Sequence, residues 1–110
     1  MSFRFKIARL VPQGLIVERV VEEGDDLVVT AHARASAAAC PLCGQDSRRI
    51  HSRYFRQVAD LPCADRKVRL HIVTRRFVCA APLCLRRVFA ERFEKDILAS
   101  RSRRTARLEY

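Results

Sequence analysis

The chain has 110 residues, 22 of them Lys or Arg against 12 Asp or Glu, which gives a formal charge of +10. Apolar residues make up 49%, too many for a disordered polybasic tail. No apolar run approaches the roughly 18–20 residues that span a bilayer, and Met1-Ser2-Phe3-Arg4-Phe5-Lys6 lacks the apolar stretch of a secretory leader, so neither a membrane-embedded nor a secreted protein is expected. The length also argues against a complete enzyme with a large cleft. A core this small gives a thin stability margin and calls for a staple, for which five cysteines are the candidates.

Residues 15–21 and 27–31 are apolar and rich in β-branched side chains, with Glu22-Glu23-Gly24-Asp25-Asp26 between them. This predicts an antiparallel hairpin over 15–33. Residues 35–39 link it to the first cysteine pair. Residues 51–58 read as a strand broken by Asp60-Leu61-Pro62, with a turn at Ala64-Asp65-Arg66. From Lys67 the pattern alternates strictly, with Val68, Leu70 and Ile72 on one face and Lys67, Arg69 and His71 on the other. That is a half-buried strand with a basic outer face. Residues 88–93 are a short strand candidate. From Ile97 to Leu108 the period fits a helix, with Ser100 or Ser102 as its N-cap. The expected class is mainly β, a small α+β fold. An N-terminal β-hairpin region (1–34) precedes a zinc-ribbon domain (35–93), followed by a basic helix or linker (94–110).

The cysteines are arranged as Cys40-Pro41-Leu42-Cys43-Gly44 and Cys79-Ala80-Ala81-Pro82-Leu83-Cys84, with residues 44–78 between the pairs. Tetrahedral Zn²⁺ takes four thiolates at about 2.3 Å, and two tight turns joined through a β-hairpin supply them with little strain. Gly44 permits the positive φ that such a knuckle needs. Four thiolates close the coordination shell, so the metal would be structural, one Zn²⁺ per chain held by Cys40, Cys43, Cys79 and Cys84. Disulfides, a thioredoxin-like redox pair and an iron–sulfur cluster are the alternatives. Cys63 stands alone and reads as a small, partly buried hydrophobe. His32, His51 and His71 read as sheet residues, with His51 and His71 also able to contact phosphate. The carboxylates converge on no rigid platform, so no catalytic triad is expected. Asp60 reads as fixing its loop through an Asx-type hydrogen bond.

Charge divides unevenly. Residues 1–33 carry −1 and residues 34–110 carry +11. A basic excess in the cysteine-bearing part points to a polyanionic partner. The expected DNA footprint comprises Arg48, Arg49, Arg53, Arg56, Lys67, Arg69, Arg75, Arg76, Arg86 and Arg87, extended by Arg101, Arg103, Arg104 and Arg107. Arginine predominates, and its planar fork suits bidentate contact to phosphate or guanine. Tyr54 and Phe55 read as core rings, with stacking on an unpaired base as the alternative.

Cys40-Pro41-x-Cys43-Gly44, His51-Ser52-Arg53-Tyr54-x-Arg56, Asp60-Leu61-Pro62, Val68-Arg69-Leu70, Arg75-Arg76-Phe77-x-Cys79 and Cys84-x-x-Arg87-x-Phe89-x-Glu91-Arg92 together resemble the N-terminal zinc-binding region of ISL3-family insertion-sequence transposases. The resemblance covers residues 10–108. It implies a DNA-binding module that helps recognise a transposon's terminal inverted repeats, ahead of a helix-turn-helix and a DDE catalytic domain. It assigns the same four cysteines as ligands, places the protein in the cytoplasm at the nucleoid, and is compatible with a homodimer. The sequence departs from the pattern in carrying Cys63 where an aromatic commonly follows Leu-Pro. It also stops where the helix-turn-helix would begin, so no catalysis is expected. The other readings are a zinc-ribbon protein-interaction module, which requires an exposed apolar patch, and a thiol-redox enzyme, which requires an exposed low-pKa Cys40.

Overall fold

The structure, a computed structural model, describes residues 10–99 and 102–108. Among the described residues seven strands form: β1 (Leu15–Glu23), β2 (Asp26–Ala33), β3 (Ala38–Ala39), β4 (Asp46–Ser47), β5 (Ile50–Cys63), β6 (Arg66–Val78) and β7 (Val88–Ala90). The main sheet runs β1-β2-β6-β5, with β7 also on β6; β3 and β4 form a separate two-stranded ribbon. The expected N-terminal hairpin is present as β1 and β2, paired antiparallel around Gly24. A second hairpin, β5–β6, lies beside it, and the two join through a parallel β2–β6 pairing from Leu27↔Val68 to His32↔Val73. Hairpin and cysteine-bearing part therefore share one sheet.

The alternation in β6 is realised. Val68, Leu70 and Ile72 are buried, and Lys67, Arg69 and His71 lie on the opposite face. Cross-strand partners follow the same phase: Val58 opposes Leu70, and Leu27, Val29 and Ala31 oppose Val68, Leu70 and Ile72. These residues form the main core, closed over by Leu10, Val11 and Leu98, with Phe93, Ile97 and Cys63 packed against it. Cys63 thus takes the place of a small hydrophobe.

Burial in β6 then passes from Thr74 to Phe77, an odd step. Side chains alternate across a strand, so the second cluster sits on the opposite face. It comprises Cys40, Phe77 and Phe89, flanked by Ala38, Ile50, Cys79 and Cys84. Phe77 opposes Phe89 across β6–β7, and their rings stack with centroids 5.9 Å apart. This small core supports the cysteine pairs.

Four expectations need correction, two along the strands and two involving the C-terminal residues. Asp60-Leu61-Pro62 does not break the strand, because β5 continues to Cys63. A register shift between Asp60 and Cys63 accommodates Pro62, which has no N–H to give the ladder. The turn itself falls where expected, at Ala64 and Asp65, both with positive φ (51° and 63°), as a tight right-twisted hairpin requires. Residues 88–93 form a strand only over Val88–Ala90.

The C-terminal helix does not form among the described residues. Residues 95–97 and 106–108 make turns, and Arg104 makes a parallel bridge to Ala59. The sheet edge competes successfully for the backbone. Ala59 N–H donates to the Arg103 carbonyl at 2.8 Å, Thr105 N–H to the Ala59 carbonyl at 2.9 Å, and Ala106 N–H to the Ile97 carbonyl at 2.8 Å. Ser102 serves a local turn, its hydroxyl bonding both the N–H and the carbonyl of Arg104. Ser100 lies outside the described residues.

Asp60 is also not an Asx-turn residue. It is buried, and its carboxylate accepts from the Thr105 hydroxyl at 2.6 Å and from Arg107 Nε at 2.8 Å, with Arg107 Nη2 on the second oxygen. A buried carboxylate needs such partners, and the C-terminal strap supplies them.

Candidate metal centre and basic surface

Each cysteine pair sits on a turn built by backbone hydrogen bonds. In the first, Gly44 N–H donates to the Cys40 carbonyl at 2.8 Å and Cys40 N–H to the Gln45 carbonyl at 2.9 Å. Gly44 has φ 78° with open space around it, the left-handed conformation expected of it. In the second, Cys84 N–H donates to the Ala81 carbonyl at 3.2 Å and Cys79 N–H to the Arg87 carbonyl at 2.8 Å. The Ser47 hydroxyl donates to the Val78 carbonyl and Val78 N–H to the Arg49 carbonyl, so β4 and the link into β5 fasten the first turn to the end of β6. No sequence signal marks Ser47 for this role.

These turns bring Cys40, Cys43, Cys79 and Cys84 together, with all four Sγ atoms within 4.8 Å of one another. Cys40 and Cys84 are 3.8 Å apart, Cys43 and Cys79 3.5 Å. A tetrahedron of thiolates at the Zn–S distance has an edge of about 3.8 Å, so the cluster fits a single ion. An iron–sulfur cluster, with several metal atoms inside, needs a wider cage. A disulfide needs sulfurs about 2.05 Å apart, and all five cysteines are free. Cys63 lies outside the group, as do His32, His51 and His71.

The thiols titrate unequally. Cys40 is lowered to about 7, first by the Cys43 backbone N–H, against the opposing effect of burial. Cys79 is pushed up to about 12. The Ala81 backbone N–H pulls it down, but burial and hydrogen bonds with the other three thiols outweigh this. Cys84 is also raised; the Arg86 N–H lowers it, while burial and its contacts with Cys43 and Cys40 prevail. Four thiols this close cannot all ionise without a cation between them. Cys40 is only 2% exposed, which does not suit an attacking redox thiol.

The basic residues fall into two groups. Arg69 pairs with Glu23 at 3.1 Å and Asp26 at 3.5 Å, and Arg66 pairs with Glu22 at 3.1 Å, so acids of the N-terminal hairpin offset this end of β6. Arg75 grips Glu91 with Nε and Nη2, both at 2.9 Å, and also donates to the Ala35 carbonyl. Its guanidinium lies 5.0 Å from the Phe77 ring, and hydrogen bonding to Glu91 raises its pKa against the effect of burial. Arg56 donates to the Ser102 carbonyl, and Arg107 holds Asp60.

Arg48, Arg49, Arg53, Lys67, Arg76, Arg86, Arg87, Arg103 and Arg104 are exposed. Arg49 and Arg87 both present their carbonyls to the end of β6, at Val78 and Cys79. This draws Arg48, Arg49, Arg86 and Arg87 around the cysteine cluster. Arg76 covers the Tyr54 ring at 4.5 Å. Arg101 lies outside the described residues. Phe55, expected in the core, is 67% exposed beside His71, on the uncovered face of the sheet.

Two cysteine knuckles on a β-hairpin, closed around one metal position, define a zinc ribbon. Residues 36–84 match the family model described as the zinc-finger of transposase IS204/IS1001/IS1096/IS1165. The chain is also 36% identical over 70 residues to the transposase for insertion sequence element IS1001 from Bordetella parapertussis, an alignment covering 61% of this chain and 17% of that protein. Residues 36–84 are therefore similar to the zinc ribbon of ISL3-family transposases, and Cys40, Cys43, Cys79 and Cys84 are placed to hold one structural Zn²⁺. No solved structure matches it. No helix among the described residues is long and apolar enough to cross a membrane.

Proposed function

We propose that this chain is a zinc-stapled DNA-binding module that recognises the terminal inverted repeats of a transposon, and that catalysis belongs to other parts of a transposase. The observation that carries the reading is the placement of Arg48, Arg49, Arg86 and Arg87. All four are exposed and gathered about the metal position, with Asp46 the nearby acid in sequence. The N-terminal hairpin supports the same reading from the other side. Its acids neutralise Arg66 and Arg69, so the uncompensated charge lies toward the zinc end.

In this reading Zn²⁺ holds the two turns in fixed relation, and the chain's own arginines make the contacts. Exposed guanidiniums neutralise phosphates and set affinity, while any fork that reaches a base edge sets specificity. The module acts in the cytoplasm at the nucleoid. The test is a competition assay with the zinc-loaded chain, comparing a duplex of the element's terminal repeat with a scrambled duplex of equal length. Tighter binding to the terminal repeat is expected. Equal binding to both would reduce the reading to non-specific DNA affinity.

A second reading, a protein-interaction module, is favoured by one observation. Leu42, Leu83 and Leu85, on or beside the knuckles, are 62%, 93% and 92% exposed. Substituting Leu83 and Leu85 with Ser leaves DNA affinity unchanged under the DNA reading. Under the interaction reading the same change abolishes association with a partner, a second copy of this chain included.

A further inference from the structure

A cleft of about 370 Å³ opens on the face of β5 that carries Tyr54 and Arg56, between the exit of β7 and Pro41 of the first knuckle. Its volume lies within the roughly 300–1,000 Å³ of small-ligand sites. The lining has an apolar part, including Phe93 and the buried Leu98, and a basic part made by Arg56, Arg86, Arg92 and Lys95. One acid lines it, Glu91, and both its oxygens are already engaged by Arg75. The cleft is thus strongly cationic, yet one wall is aromatic. Tyr54 lines it with its ring braced by the Arg76 guanidinium at 4.5 Å. Arg56 commits one nitrogen to the Ser102 carbonyl, which fixes the guanidinium and leaves its other donors for a ligand.

The geometry points to a site for a single unpaired nucleotide of bound DNA, with its phosphate among Arg56, Arg86, Arg92 and Lys95 and its base against Tyr54 and the apolar lining. This rests on the DNA-binding reading and adds to it the place and form of one contact. A phosphate alone would use the cations and leave the apolar wall idle. A base within a duplex is stacked on its neighbours and cannot enter a concave site. An unpaired nucleotide satisfies both halves of the lining, because stacking on an aromatic ring adds to charge neutralisation.

The experiment measures binding of the zinc-loaded full chain to a blunt duplex and to the same duplex with a four-nucleotide single-stranded overhang. Thymidine 5′-monophosphate and inorganic phosphate serve as competitors. The overhang is expected to tighten binding about tenfold. That gain should vanish in Tyr54→Leu and shrink in Arg92→Gln, an exposed position, while blunt-duplex affinity stays within about twofold in Tyr54→Leu. Zinc content and thermal melting verify that each variant is folded. The nucleotide should compete better than inorganic phosphate. Equal affinity for both duplexes overturns the cleft assignment and leaves the DNA reading standing. Equal competition by phosphate and nucleotide also overturns it, by reducing the site to a plain anion pocket. Failure of both duplexes to bind overturns the DNA reading with it.

Discussion

Arg75 is expected to matter for folding before it matters for DNA. Its side chain is 12% exposed and that of Glu91 is 5% exposed, and the two form a bidentate pair. Glu91 continues the β6–β7 ladder, its N–H donating to the Arg75 carbonyl at 2.9 Å and its Oε2 accepting the Arg75 N–H at 2.7 Å. Arg75→Met removes the guanidinium and leaves a nearly buried carboxylate with that one backbone donor. Breaking a buried pair costs about 3–5 kcal/mol, and the retained N–H bond places this case near the lower end, about 3 kcal/mol. Losing the bond to the Ala35 carbonyl and the contact over Phe77 adds up to about 1 kcal/mol. In urea, followed by circular dichroism on the zinc-loaded chain, the midpoint should fall by about 2 M. Arg75→Lys should recover less than half of the loss, since a point charge cannot reproduce the fork. Arg53→Met is the control. Arg53 lies directly opposite Arg75 but is exposed, and its loss should stay within about 0.5 kcal/mol. A midpoint change below about 0.3 M for Arg75→Met would refute the reasoning.

Other outcomes follow from the same structure. Cys79→Ser should abolish stoichiometric zinc, measured by atomic emission, while Cys63→Ser keeps one zinc per chain. Chelation should unfold at least residues 38–92, because structural zinc contributes on the order of 10 kcal/mol; an unchanged circular dichroism spectrum in excess chelator would contradict this. Zinc must displace the protons held by Cys79, at about 12, and by Cys84, so calorimetry in buffers of different ionisation enthalpy should show release of more than about two protons per zinc near pH 7. The sign follows: protons compete with the metal, so apparent zinc affinity falls as pH is lowered. Asp60→Ala should cost about 2–4 kcal/mol in a denaturant melt, since it takes the acceptor from the buried Thr105 hydroxyl and from Arg107.

Much of the site was legible in the sequence because it rests on local rules. The period-two alternation from Lys67 fixed which side of β6 meets the core, and the spacing of Cys40, Cys43, Cys79 and Cys84 suited two turns around one ion. The N-terminal hairpin followed from two β-branched runs about a Gly-Asp turn. What escaped depends on contacts distant in sequence. Residues 97–108 have a helical apolar period, but Ala59 and Asp60 on β5 capture Arg103, Thr105 and Arg107 instead. The parallel β2–β6 pairing leaves no local signature. Nothing local in the sequence pairs Glu91 with Arg75, and only the fold brings the two together. Phe55 read as a core ring, whereas its register opposite Val73 puts it on the uncovered face.

The central claim is that a zinc-fixed surface of exposed arginines binds DNA by neutralising phosphates. The direct measurement is the affinity of the zinc-loaded chain for a terminal-repeat duplex across a series of salt concentrations. If six phosphates are neutralised, log K should fall against log salt with a slope of about −5, and binding should disappear on chelation. A flat salt dependence, or equal affinity without zinc, would contradict the account.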